Sequence, residues 1–321
     1  MKKVSVVIPS YNRADAAIRC AKSALASDYP DVEVVIVDDC SPKCDVAALV
    51  KTELSEIANL HVIRNEKSLR TAATRNNGAK TSSGDYIFFV DDDNILEPSA
   101  IRLLVEAIES GKCAIAAPLA VNVSPEGVKT VWATSFAFNP WMSIPRKQNS
   151  DVPYDEEFDK SVEGKLFDTW YSPNAYMTSR ETFDKLGGFD ERYGISMEES
   201  DFCIRAKEQG MPTRIIGSAR TWHHHYNDTG DMVMRKIANT TWKAYLLQRN
   251  RLIFAQRHYT GLQTLSICLV FAPLITLRYA FIAFRRGWPK IGWSFIAGHF
   301  AGLLAVLSGK HKQARNIQEK T

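Results

Sequence analysis

The chain has 321 residues, 45% of them hydrophobic, enough for one large α/β domain plus an appendage. Its formal net charge is only +4, and no basic patch is interleaved with exposed aromatics outside one membrane-like stretch, which argues against a nucleic-acid partner. The six cysteines, at 20, 40, 44, 113, 203 and 268, form no CxxC pair; Cys40 and Cys44 are a weak metal signal, and reduced thiols in cytoplasm are the simpler account.

In chain order, the run 4–9 (VSVVIP) is apolar enough to be buried on both faces and predicts a parallel strand. So does 32–37, which ends in the acidic pair Asp38 and Asp39. Between them 14–27 has helical composition, with Asn12 or Ser10 available as a cap, and the short return suits a right-handed βαβ unit. The alternation continues: helix 46–57, strand 60–64, helix 68–80, strand 86–90, helix 99–110, strand 114–117. This pattern predicts an open, mainly parallel α/β sheet sandwiched by helices, with ligands at the carboxyl ends of its strands.

The strand over 86–90 delivers Asp91, Asp92 and Asp93 into a loop. Adjacent acids at a strand exit repel one another, and a hard divalent cation would neutralise them. The first turn reads PSYNR rather than GxGxxG, which argues against NAD or FAD, and a Walker A sequence is absent. A nucleotide diphosphate bound through a cation fits better than one wrapped by a glycine loop.

Four segments carry a family resemblance: VSVVIPSYNR at 4–13, VVIVDDCS at 34–41, RTAATRNNGAKTSSGDYIFFVDDD at 70–93 and GGFDERYGISMEESDFCIRAKEQG at 187–210. Together they resemble, in order and over roughly the first 225 residues, the inverting GT-A fold glycosyltransferases of family 2. The resemblance implies a nucleotide-diphospho-sugar transferase. Asp39 matches the acid that contacts the nucleoside, and Tyr11 an aromatic near the base, with the Pro9 and Ser10 backbone lining the pocket. Arg70 matches a nucleotide-side arginine, with Arg75 a competing candidate. Asp91 and Asp93 match the metal-binding DxD pair, and Asp92 between them falls on the nucleotide-sugar side.

The same resemblance makes the second residue of an ED motif the catalytic base, and here Glu199 stands where Asp is usual. Glutamate can do the same chemistry with one methylene more reach. Asp201 is the alternative base, although Arg205 is spaced to pair with it. Each candidate has a plainer reading: Asp38 and Asp39 as turn or cap acids, Arg70 and Arg75 on a solvated helix face, Glu198 and Glu199 as acids in a first helical turn.

An extended stretch over 213–216 and a turn at Gly217 precede TWHHHYN. Alternate side chains of a strand face opposite ways, so His223 and His225 can share a face that His224 cannot. His223 best matches the family histidine that completes the metal or diphosphate site. Histidine mildly favours Mn²⁺ over Mg²⁺ as the cofactor.

Over 121–171 the period weakens, and an acceptor-side excursion with a mobile loop is expected; a short strand over 176–179 could line the sugar pocket. From 232 to 259 the composition is helical, with Arg235, Lys236, Lys243, Arg249, Arg251 and Arg257 as a basic surface. Residues 262–284 carry one charge, Arg278, and 291–307 carry none. The first is long enough to span a bilayer and the second is marginal, so interfacial helices compete with a hairpin, and two core helices are the plainer reading. Trp288 and Trp293 lie near the segment boundary, and basic residues flank both stretches.

The expected organisation is therefore a GT-A domain over 1–230, split near 120 into nucleotide-binding and acceptor-side halves, and a membrane-associating helical region over 231–321. No signal peptide, internal repeat or low-complexity segment is expected apart from a polar tail from Lys310. The implied function is inverting transfer from a UDP-, GDP- or dTDP-sugar to the hydroxyl of a polyprenyl-linked or other glycan acceptor, at the cytoplasmic face of a membrane. The alternatives are a non-catalytic nucleotide-sugar-binding scaffold, and a sugar-1-phosphate nucleotidyltransferase, whose basic glycine-rich loop PSYNRADA does not supply.

Overall fold

The computed structural model describes residues 2–54, 57–224 and 240–309. His225, Arg235, Lys236 and the tail from Lys310 lie outside the described residues. The elements run β1 (Val4–Ser10), α1 (Ala14–Leu25), β2 (Val32–Asp38), α2 (Val46–Glu53), β3 (Leu60–Arg64), α3 (Arg70–Thr81), β4 (Tyr86–Val90), β5 (Asn94–Leu96) and α4 (Ala100–Glu109). There follow β6 (Ile115–Val123), β7 (Lys129–Val131), β8 (Ser135–Asn139), β9 (Ile144–Gln148), α5 (Glu156–Val162), β10 (Leu166–Thr169), β11 (Ala175–Ser179), α6 (Arg180–Lys185), α7 (Glu198–Glu208) and β12 (Thr213–His224). The chain divides into two units: one takes Met1–Ala137, Lys147–Gly194 and Glu199–Asp228, the other Phe138–Arg146, Ile195–Glu198 and Thr229–Thr321.

The first unit holds a mixed sheet in the order β10, β12, β6, β11, β4, β1, β2, β3. Strands β3, β2, β1 and β4 are parallel neighbours, and β12 is parallel to β6. Between β4 and β6 lies β11, antiparallel to both, so β4 and β6 point the same way. The carboxyl ends of β1, β2, β4, β6 and β12 therefore share one edge of the sheet. The antiparallel insertion was not legible in the simple βα alternation, because a five-residue buried strand reads the same in either direction.

Val4, Val6 and Ile8 of β1 pack in one buried layer with the apolar residues of α1, α2 and α4. On the other face a Cβ on Gly78 of α3 would lie 2.3 Å from Val7 and 2.9 Å from Val37, so only glycine lets that helix approach β1 and β2 so closely. Burial on both faces explains the unbroken apolar runs. Beyond β4, Phe89, Tyr176, Phe183, Phe189 and Phe202 form an aromatic cluster with neighbouring centroids 4.9–6.1 Å apart.

Two local expectations are corrected. Neither Asn12 nor Ser10 caps α1: the Asn12 amide donates to Ser41 Oγ, and its side-chain oxygen accepts from the Lys43 amide. Gly217 is not a turn; β12 runs on to His224 with a bulge between Ile216 and Arg220. A Cβ at Gly217 would stand 2.1 Å from the Val162 carbonyl, so the glycine answers a close backbone approach. The segment without clear period resolves into β7 to β10 and α5, with alternating burial in β8.

In the second unit, α8 (Thr241–His258) is capped by Thr240, whose hydroxyl accepts from the Lys243 amide. A 25-residue helix, α9 (Gly261–Arg285), includes a π-helical turn at Ile267–Phe271, and α10 (Pro289–Leu307) packs against α8. Contact between α8 and α10 is made through Gly298 and Gly302, where an added Cβ would come within 2.1 Å of the Tyr245 carbonyl and 2.7 Å of Leu252. Of the expected basic surface, Arg251 is buried and donates from Nη1 to the Ser143 carbonyl at 2.6 Å. Leu262, Leu265, Leu269, Leu277 and Phe281 on α9, and Phe300, Leu304 and Leu307 on α10, are all more than half exposed. That departs from the plainer reading of two core helices.

Candidate active site

The shared sheet edge gathers most of the candidate residues of the first unit. After β4 the chain turns at once, the Asn94 amide donating to the Asp91 carbonyl, and continues as β5 paired antiparallel with β12. This ladder sets Asn94 opposite His223, with the His224 amide donating to the Asp93 carbonyl at 2.8 Å. Two buried amides brace the acidic loop: Asn94 Nδ2 donates to the Asp91 carbonyl, and Asn174 Nδ2 to Asn94 Oδ1.

The three aspartates have different surroundings. Asp93 Oδ1 lies 3.5 Å from His223 Nε2, and its Oδ2 accepts from Arg13 at 2.9 Å. Burial alone would raise the Asp93 pKa, but the hydrogen bonds and charges of His223 and Arg13 hold it well below the usual carboxylate range. Asp92 is almost wholly buried, paired through Oδ1 with Arg13; burial and its two acidic neighbours push its pKa up against the arginine. Asp91 accepts from Arg75 at 2.7 Å, yet burial and the charges of Asp93 and Glu199 raise its pKa. Arg13 shows the converse: burial disfavours its charge, and the carboxylates outweigh burial.

Arg75, one of the two arginines read as solvated or nucleotide-side, is 1% exposed. Its guanidinium lies 5.8 Å from the ring centroids of Tyr176 and Phe189, reaches Asp91, and stands 3.9 Å from Glu199 Oε2. It is an internal bridge between the acidic loop and α7, which corrects the solvated-face reading. The Glu199 side chain is 16% exposed, and its Oε2 has no hydrogen-bond partner among the described residues. Asp201, the alternative base, is fully buried, with Arg205 Nε donating to it at 2.8 Å and Tyr193 at 3.4 Å.

Asp39 follows β2 at the same edge and accepts five hydrogen bonds: from Asn65, Ser68, Thr74 and the amides of Leu69 and Arg70, at 2.7–3.0 Å. This carboxylate takes over the orphan amides of the α3 N-terminus, so α3 starts at Arg70, in a positive-φ conformation, rather than at 68. With its lone pairs filled from inside the protein, Asp39 organises the loop that carries Arg70, whose own side chain is half-buried. Replacing Asp39 by Ala would strand several buried donors and is expected to cost about 2–4 kcal/mol of unfolding free energy by urea titration. A midpoint equal to wild type would show those bonds to be energetically idle. Tyr11 is 43% exposed and Pro9 partly exposed, both at the carboxyl end of β1.

A divalent cation suits part of this arrangement. Asn122 Oδ1 accepts from His223 Nδ1 at 3.0 Å, and Trp132 stacks on the imidazole at 4.7 Å, which fixes the ring. Nε2 is left facing Asp93 Oδ1, as a proton donor to it while the ring is charged; on a neutral ring the same nitrogen and the carboxylate would present two acceptors that a cation can bridge. Among the described residues no three His, Cys, Asp or Glu side chains converge as a metal set. Asp93 and His223 would supply two ligands to such an ion, leaving its other positions to phosphate oxygens. Asp91, expected as a third, is turned to Arg75.

Arg13, Asn122 and Trp132 were missed in the sequence. Arg13 could have been noticed as the cation at the end of β1; the other two depend on the β6 and β12 register and carry no local signal.

Comparison with known proteins bears on the family and the fold. The "Glycosyl transferase family 2" profile matches residues 5–170. An uncharacterized glycosyltransferase of Haemophilus influenzae is 37% identical over 106 residues, 33% of this chain and 34% of that protein, so the match spans about a third of the relative's length. The amylovoran biosynthesis glycosyltransferase AmsB of Erwinia amylovora is 27% identical over 227 residues, 68% of this chain and 69% of AmsB. The fold is similar to that of the mannosyltransferase PcManGT from Pyrobaculum calidifontis, solved with GDP-Man and Mn2+, at a TM-score of 0.55 and 15% identity over 95% of this chain and 88% of that one. With the GT-A sheet, the acids at its carboxyl edge and a family profile covering half its length, this chain belongs to the family 2 glycosyltransferases.

Proposed function

We propose that the chain catalyses inverting transfer of a sugar from a nucleotide-diphospho-sugar to an acceptor hydroxyl, with Glu199 as general base. The observation that carries this reading is the Arg75 bridge, which puts Glu199 and the Asp91 end of the acidic loop on either side of one guanidinium. In the proposed step the acceptor oxygen bonds to the anomeric carbon as its proton passes to Glu199. The bond from that carbon to the phosphate oxygen breaks, and a nucleoside diphosphate leaves. Asp93 and His223 would hold a divalent cation, Mn²⁺ or Mg²⁺, that neutralises charge on the leaving diphosphate. Arg13 adds a fixed positive charge beside it, Tyr11 offers a ring face to the base, and Asp39 holds the α3 loop and Arg70 toward the nucleotide.

AmsB supports an acceptor in polysaccharide synthesis, and PcManGT supports GDP-sugars among the donors to try. Glutamate at the base position favours one rival, a nucleotide-sugar-binding scaffold without turnover. Release of nucleoside diphosphate from a panel of UDP-, GDP- and dTDP-sugars with Mn²⁺ or Mg²⁺, with and without a lipid-extract acceptor, separates the two. Acceptor-dependent release is expected; metal-dependent donor binding without release under any condition would favour the scaffold.

The apolar faces of α9 and α10 support membrane association, with Arg285, Arg286 and Lys290 at the connecting turn placed for anionic headgroups. Full burial of each such side chain contributes about 1.5–3 kcal/mol, so replacing Leu277 and Phe281 together by Lys is expected to weaken vesicle binding by about 100-fold or more. Flotation with phosphatidylglycerol-containing vesicles measures this. A wild-type chain that stays at the bottom of the gradient would contradict membrane attachment.

A further inference from the structure

The turn that leads into α7 is backbone that ordinary residues avoid. Ser196 and Met197 have φ of +69° and +75°, the one pair of adjacent non-glycine residues in that region among the described residues. There Cβ crowds the neighbouring carbonyl, so such a conformation persists only where the surroundings hold it. The holding group comes from α8. Asn250 is fully buried, and its Nδ2 donates to the carbonyls of Ile195 at 2.8 Å and Ser196 at 2.9 Å.

The orientation of that amide is fixed on both sides. Arg249 donates to Asn250 Oδ1 from Nε at 3.0 Å and from Nη2 at 2.8 Å. A flipped amide would set its NH₂ against a guanidinium and its oxygen against two carbonyls, so only one orientation satisfies every group. A helix packing only through apolar contacts has no use for a side chain that donates twice into a strained turn. Glu199 lies two residues past Met197, in the first turn of α7, so the path of this turn sets where that helix begins.

We infer that Asn250 is a positioning residue for transfer: it clamps the positive-φ turn at 195–197 and thereby fixes the start of the helix that carries Glu199. The inference rests on the reading of Glu199 as the base. Asn250→Asp keeps the size of the side chain and removes both donors, so it separates hydrogen bonding from packing.

The test measures kcat, the Kd for UDP, GDP and dTDP with Mn²⁺, and hydrogen exchange of the peptide spanning 194–200, in full-length Asn250→Asp and wild type. The expected result is a fall in kcat of about 10–100-fold, a Kd within about twofold of wild type, and faster exchange confined to that peptide. Adding Ser196→Gly, which removes the Cβ from one strained position, should restore part of the lost kcat; the double variant also carries the test if Asn250→Asp alone does not fold. Unchanged kcat and exchange would overturn the inference. So would loss of nucleotide affinity in step with kcat, or no recovery in the double variant, since either marks a general structural role. Glu199→Gln measured alongside keeps the two ideas apart: full activity there removes the base itself, whereas an inactive Glu199→Gln beside a wild-type-like Asn250→Asp removes only the clamp.

Discussion

Glu199→Gln is expected to lower transfer by about 10²–10⁴-fold while leaving donor affinity nearly unchanged. The replacement is nearly isosteric, so the fit beside Arg75, 3.9 Å away in the native chain, should persist while the basic oxygen is lost. The surroundings support that separation of effects. Oε2 makes no hydrogen bond that the fold needs among the described residues, and the side chain is still reachable from solvent at 16% exposure. Asp201 cannot easily substitute, because it is buried and held by Arg205 and Tyr193. Steady-state release of nucleoside diphosphate in the presence of acceptor measures the effect, with nucleotide binding as the control. Activity within a few-fold of wild type would exclude Glu199 as the base.

Asp93→Asn should act at the other end of the site. It removes the carboxylate that faces His223 Nε2 while keeping nearly the same shape beside Arg13. The expected result is at least about 100-fold weaker Mn²⁺ binding in the presence of nucleoside diphosphate, followed by the free-Mn²⁺ electron paramagnetic resonance signal, with a comparable loss of transfer. Because Asn94 and Asn174 brace the loop through other atoms, the fold should survive the change. Full metal affinity in the variant would move the cation away from Asp93, leaving the Asp93 and His223 pair as a structural contact.

These two residues lie on parts of the molecule that the sequence made legible to different degrees. The strands that lead into Asp39 and Asp91 were readable because burial on both faces demands an unbroken apolar run, and the helices between them follow from alternation and length. Helix α3 shows where that reading stops. Its sequence RTAATRNNGAKT looks solvated, yet Arg75 within it is among the most buried side chains, because Asp91, Tyr176 and Phe189 enclose it from segments distant in the chain. Nothing within reach of a local window records those partners.

The same holds for Asp39. Its position after β2 was legible; the five donors that fill its oxygens were not, since they depend on how the α3 loop folds back. His223 was singled out by the family resemblance, while its partners Asn122 and Trp132 come from the β6 and β12 register and the β7 loop. In the C-terminal unit the apolar stretches were plain from composition. That Arg251 would be buried and Asn250 turned toward residues 195–196 depends on helix packing that composition does not encode.

The most direct test of a single displacement driven by Glu199 is the anomeric configuration of the product, read by ¹H nuclear magnetic resonance from the coupling at the transferred sugar's anomeric proton. A glycosidic bond inverted relative to the nucleotide-sugar is the result this mechanism predicts. Retention of the donor's configuration would contradict it, because a base acting on the acceptor in one step has no route to that outcome.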